Sequence, residues 1–292
     1  MTVLSVQHLS KRYGPIQALK GVSFDVPKGT VFGILGPNGS GKTTLLGIVL
    51  DVLKPSGGTF RLFGEEPDPS QRQRMGALLE TPNFYHYLSA EQNLEIAANI
   101  KGRGHGDIDS VLARVNLLDR KDSAFSTFSL GMKQRLAIAS SLLGSPEVLV
   151  LDEPTNGLDP VGIAEIRELI KSLSREGKTI IMASHLLDEV EKVCTHMALL
   201  KKGELLISGK VSDILAQGDI VEVSTAAKSV IGAYPGVKSV TEQDGLLDIH
   251  FETKGVDLGK INEYCFSKGV VLEHLSLKRK SLEARFLELT QN

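Results

Sequence analysis

The octapeptide Gly36-Pro37-Asn38-Gly39-Ser40-Gly41-Lys42-Thr43 stands between an apolar run, Val31 to Leu35, and a helix-patterned stretch that stops before Pro55. It fits G-x-x-x-x-G-K-[ST] in the strand, loop and helix setting that the pattern needs. Glycines at these places let successive backbone N–H groups turn toward one point. The N-terminus of the following helix adds its partial positive charge there. A chain of phosphates suits such a loop: Lys42 is placed to reach the β and γ phosphates, and the Thr43 hydroxyl to hold Mg²⁺.

A second apolar run, Val148 to Asp152, reads as another buried strand and sets Asp152 beside Glu153 before Pro154 ends it. Two neighbouring carboxylates at the end of an apolar strand call for a positive partner. In phosphate-loop proteins the nucleotide's Mg²⁺ is also held by an acid in this place, which assigns Asp152 to the metal. Glu153 points differently and is placed to accept the proton of the water that attacks the γ-phosphate. The plainer reading of the pair is a surface turn carrying two acids.

The rest of the chain supports an α/β architecture. Leu4 to Asp25, around "KRYGPIQAL", reads as two strands joined by a turn. From about residue 75 to 145 the patterns are mostly helical, which predicts a helical subdomain. The strand signals of Val148–Asp152 and Thr179–His185 flank a helical stretch, Ile163 to Leu173. Short apolar strands alternating with helices predict a parallel, doubly wound sheet, joined by antiparallel N-terminal strands. After Gln217 the texture changes, so residues 1–217 are expected to form the main domain and 218–292 a small α+β appendage in which no site is read.

Composition argues against one class of partner. Acids (35) slightly outnumber bases (33), which argues against a general nucleic-acid binder. Cys194 and Cys265 are the only cysteines, too few for a disulfide framework or a metal cluster, and suit a reducing compartment. No run approaches the 18 to 20 apolar residues of a membrane span, so a membrane role would need a partner chain.

The segment "FSLGMKQRLAIASSLLG" places Ser129 as a helix N-cap and Gly131 at the start of an amphipathic helix, shortly before the paired acids. With this third motif, Leu4 to Gln217 resembles the ATP-binding cassette family, the nucleotide-binding subunits of membrane transporters. The family signature is L-S-G-G-Q, whereas this chain reads Phe128-Ser129-Leu130-Gly131-Met132. Only Ser129 and Gly131 are retained, and they are the positions carried over.

That resemblance implies a P-loop NTPase fold, a head-to-tail homodimer with two ATP at its interface, and a signature helix aimed at the γ-phosphate held by the other subunit. It extends the nucleotide-binding set through Thr44. Tyr13 matches the aromatic that stacks on adenine, and its other reading is a half-buried tyrosine on a strand. Asn156-Gly157-Leu158-Asp159 looks like the loop that crosses the dimer interface, or else an Asx turn stopped by Pro160. His185 resembles the histidine that senses the γ-phosphate and orients the water, though a lone histidine can also be structural. Glu80 stands where the family usually has a glutamine near Mg²⁺; a solvated loop acid is the alternative.

Glu80, with "ETPNFYHYLSAEQNL", resembles the bacitracin-resistance and lantibiotic-immunity branch of exporters. The implied function is a cytoplasmic ATPase, peripheral on the inner face of the cell membrane. It would power export of antimicrobial peptides or other amphiphilic compounds through a separately encoded permease. The alternatives are an importer ATPase and a soluble cassette ATPase acting on DNA or ribosomes.

Overall fold

The computed structural model describes residues 1–79, 83–215, 220–243, 245–251, 256–278, 282–283 and 286. The chain divides into two compact units, Met1–Gly209 and Lys210–Asn292.

In the first unit the order is β1 (Thr2–Tyr13), β2 (Ile16–Pro27), β3 (Val31–Leu35), α1 (Lys42–Val49), β4 (Gly57–Leu62), α2 (Pro69–Gln73) and β5 (Met75–Leu78). There follow α3 (Ala90–Lys101), α4 (Ile108–Arg114), α5 (Leu130–Leu142), β6 (Val148–Asp152), α6 (Pro160–Arg175), β7 (Thr179–Ser184), α7 (Leu187–Val193), β8 (His196–Lys201) and β9 (Glu204–Lys210). One sheet is three-stranded, β2-β1-β4, with antiparallel pairing; the other is six-stranded, β5-β6-β7-β3-β8-β9. Every residue of β3, β6 and β7 is buried, as expected for parallel strands covered on both faces.

Register matters more to the site than the strands themselves. Leu35 lies opposite Ser184, and Asp152 opposite Ala183, so β3 and β7 finish level and β6 ends one residue short of them. The residues that follow them, Gly36, Glu153 and His185, therefore leave the sheet at one carboxyl edge, where open α/β sheets bind ligands. Leu45, Leu46, Ile48 and Val49 of α1 are buried in the core that also holds Phe24 of β2 and Phe32 of β3. Those two rings stack at 5.3 Å and join the small sheet to the large one. Each such side chain contributes about 1.5–3 kcal/mol of burial, which anchors the base of the loop.

Two expectations are corrected. Met75–Leu78 was expected within the helical region but forms β5, paired in parallel with β6 from Met75↔Val148 to Leu78↔Leu151. Four residues are too few to show a period, and Gly76 admits the Ser141 carbonyl into the space that a Cβ would fill. The helix after Ser129 is not amphipathic along its length: Leu136, Ala137, Ile138, Ala139 and Leu142 are all buried, because it packs between neighbours.

The second unit contains α8 (Val211–Leu215), β10 (Ile220–Ser224), β11 (Val237–Gln243), β12 (Leu246–Phe251), α9 (Leu258–Ser267) and β13 (Leu275–Lys278). Its antiparallel sheet has the order β11-β12-β10-β13. Ile261 and Cys265 of α9 share a core with Val221, Val223 and Ile249. This second unit is of the α+β kind, the first of the α/β kind. Among the described residues no helix is long and apolar enough to cross a membrane.

Candidate functional site

Lys42 opens α1 and is only 6% exposed. A buried ammonium must be solvated by the protein, and here the loop does it: Nζ donates to Gly36 O at 2.8 Å and lies 3.4 Å from Pro37 O. Its counter-ion is Glu153, whose Oε1 is 3.3 Å from Nζ. The loop's closing turn requires glycine at Gly41, which has φ 104°, and a Cβ there would lie 2.6 Å from Ala18 O. A cleft of about 320 Å³ opens above, lined among others by Asn38, Gly39, Gly41, Thr43 and Thr44 of the loop and by Glu153.

The paired acids take different partners, as alternation along a strand requires. Asp152 is 3% exposed, and its Oδ2 accepts the Thr43 hydroxyl at 2.8 Å. Glu153, at φ 48°, turns away from the strand direction, and its own N–H donates to Ala183 O at 3.0 Å. That turn carries its carboxylate over the loop. Oε2 lies 2.8 Å from His185 Nδ1 and 3.4 Å from the His185 N–H. One carboxylate thus touches the loop lysine with one oxygen and the histidine with the other.

The structure therefore brings Lys42, Thr43, Asp152, Glu153 and His185 together. Gly36 and Pro37 act through their carbonyls on Lys42, while Ser40 is buried beneath the loop with its Oγ unpartnered among the described residues. Tyr13 is 44% exposed at the end of β1, with Lys11 Nζ 5.0 Å from its ring centre. Ser129 caps α5 by accepting the Met132 N–H at 3.3 Å. With Gly131, Arg135, Leu158 and Asp159 it lines a second cleft, of about 390 Å³, that shares no residue with the first. Asp159 is the N-cap of α6, accepting the Gly162 N–H at 2.9 Å, with Pro160 at the first helical position. Glu80 lies outside the described residues.

Sequence reasoning missed Ala18, which lines the first cleft from β2. An alanine within a strand carries no signal of its own, and only the fold delivers it.

The residues fit a metal of oxygen preference. Thr43 and Asp152 offer two hard oxygen donors at the loop, and no group of three or more His, Cys, Asp or Glu among the described residues could hold an ion alone. Such a site suits Mg²⁺, which binds one or two carboxylates together with substrate phosphates and water.

A family model described as ABC transporter matches residues 19–156. The bacitracin transport ATP-binding protein BcrA of Enterococcus faecalis is 35% identical, over 98% of this chain and 96% of that protein. The lantibiotic transport ATP-binding protein SrtF of Streptococcus pyogenes is 39% identical, over 70% of this chain and 90% of that one. Among solved structures, cbiO1 from Clostridium perfringens, part of the ABC transporter complex cbiONQ, superposes with a TM-score of 0.67 at 32% identity. That match covers 74% of this chain and 91% of cbiO1.

Proposed function

The chain belongs to the ATP-binding cassette transporter family as an ATP-hydrolysing subunit, and from this we propose that it powers export through a separate membrane permease. The observation that carries the mechanism is the meeting of Lys42, Glu153 and His185 over the glycine loop. The triphosphate enters the cleft, and its negative charge takes over Lys42 from Glu153. Glu153, released, keeps Oε2 on His185 Nδ1 and turns Oε1 to the attacking water, whose proton it accepts. His185 is a donor at Nδ1 in this role, which fixes its tautomer and aims the carboxylate. Asn38, Gly39, Gly41 and Thr44 line the space for the phosphates, and α1 directs its N-terminus there.

Thr43 and Asp152 would hold Mg²⁺, with Glu80 as the remaining candidate ligand. Bound there, the ion neutralises charge that develops on the phosphates. Tyr13 offers its exposed ring to adenine. The cleft at Ser129, Gly131 and Asp159 lies apart from the loop of its own chain, which favours a head-to-tail homodimer. In such a dimer the N-terminus of α5 reaches the γ-phosphate held by the second copy. The chain would sit on the cytoplasmic face of the membrane. Its full-length likeness to a bacitracin transport protein supports peptide antibiotics as cargo.

Two measurements test this. Affinity purification from detergent-solubilised membranes should recover a polytopic chain. A host making both chains should tolerate more bacitracin or lantibiotic than the same host carrying Glu153→Gln. Equal tolerance rejects the cargo, and purification without a membrane chain rejects the transporter role.

A further inference from the structure

The turn between β8 and β9 is made by Lys202 and Gly203, both at positive φ, 49° and 83°. It takes no part in the chemistry of the cleft, yet its backbone grips two walls of it. The Gly203 N–H donates to Ser40 O at 3.0 Å, and Gly203 O accepts the Lys20 N–H at 2.8 Å. Ser40 belongs to the phosphate loop, and Lys20 to β2, two residues beyond Ala18. The packing is close: a Cβ on Gly203 would stand 2.7 Å from Ala18 O, the same carbonyl that a Cβ on Gly41 would meet at 2.6 Å. The Ala18 carbonyl is therefore crowded by two glycines from segments far apart in sequence. Ala18 lines the phosphate cleft, and its strand starts at Ile16, the hairpin partner of Tyr13.

We infer that the Lys202–Gly203 turn is a positioning element for the nucleotide: it clamps the β1–β2 hairpin to the phosphate loop and so sets the distance from Tyr13 to the triphosphate. The inference rests on the stacking of adenine on Tyr13 proposed above. Any other residue at Gly203 fails twice, because its φ disfavours an L side chain and because the atom it would strike is backbone that cannot rotate aside. The displacement falls on the hairpin. The loop is braced independently, through Gly36 N–H to Ser184 O and Leu45 N–H to Gly41 O.

The test compares dissociation constants for ATP and for inorganic tripolyphosphate in the wild type, Gly203→Ala, Tyr13→Ala and the double variant. Loss of one aromatic stack corresponds to about tenfold in affinity. Gly203→Ala should weaken ATP by about that factor and leave tripolyphosphate unchanged. The double variant should bind ATP no more weakly than Tyr13→Ala, because the hairpin then has no platform to misplace. In steady state KM for ATP should rise with kcat retained. Unaltered ATP binding by Gly203→Ala, equal losses for both ligands, or additive losses in the double variant would each overturn the proposal while leaving the stacking intact. Normal ATP binding by Tyr13→Ala would instead overturn the stacking, and the proposal with it. Should Gly203→Ala not fold, one glycine inserted after Lys202 lengthens the turn without adding a side chain, and is held to the same outcomes.

Discussion

Glu153→Gln should separate two properties that one carboxylate carries. Without nucleotide, Glu153 is the counter-ion of a lysine that is 6% exposed, at 3.3 Å. At an effective dielectric of about 20, two unit charges at that distance attract by about 5 kcal/mol, much of which is offset by desolvation. Glu153 retains 21% of its side-chain exposure, and the Gly36 and Pro37 carbonyls still solvate the ammonium in the variant. A net loss of about 2 kcal/mol follows, which for a unit of this size lowers Tm by about 4–8 °C. The triphosphate supplies the missing negative charge, so saturating ATP should close most of that gap. The variant should thus gain more thermal stability from ATP than the wild type does. Turnover should fall by about 10²–10⁴, because the water loses its base. Calorimetry with and without Mg-ATP, paired with phosphate release, reads both effects. A nucleotide-free Tm equal to that of the wild type would refute the electrostatic argument, and near-normal turnover would remove Glu153 from the chemistry.

Arg167→Met should destabilise the fold by about 3–5 kcal/mol, since Glu189, 7% exposed at its side chain and 2.7 Å from the guanidinium, would be left as an uncompensated buried charge; urea unfolding checks it, and a change near zero refutes it. Burial first, then the neighbouring Arg103, pushes the Lys101 ammonium down to about 8. Its folded value lies below the unfolded one, about 10.4, so between them the unfolded chain holds more protons and stability rises with pH. Lys101→Met should flatten that rise, and an unchanged slope of unfolding free energy across the window would count against it. Glu80→Gln should alter the Mg²⁺ concentration needed for half-maximal hydrolysis if Glu80 reaches the ion; an identical requirement would place it elsewhere.

The loop and the paired acids were legible because their chemistry lies within contiguous residues. Lys42, Thr43, Asp152 and Glu153 announce themselves by type and by the apolar strands before them. His185 was legible once Thr179–His185 read as a strand, because the edge where that strand ends is where the site lies. Ser129 was visible as a cap, but that it lines a cleft sharing no residue with the phosphate cleft required the fold. Met75–Leu78 escaped notice because four residues show no periodicity, and the strand is specified by what packs on Gly76. Ala18 and Gly203 escaped for a different reason. Their roles are contacts between backbones, and a backbone carbonyl leaves no mark in a sequence.

The shared carboxyl edge of β3, β6 and β7 makes the two neighbouring acids dependent on the register of β6 against β7. A slip of β6 by one residue would put Glu153 in the place of Asp152 beside Thr43 and draw the shorter acid back into the sheet, leaving the histidine without its carboxylate though the composition is unchanged. Selection on this chemistry therefore bears on apolar residues such as Val150 and Ile181, whose packing forbids that slip, as much as on the carboxylates they deliver.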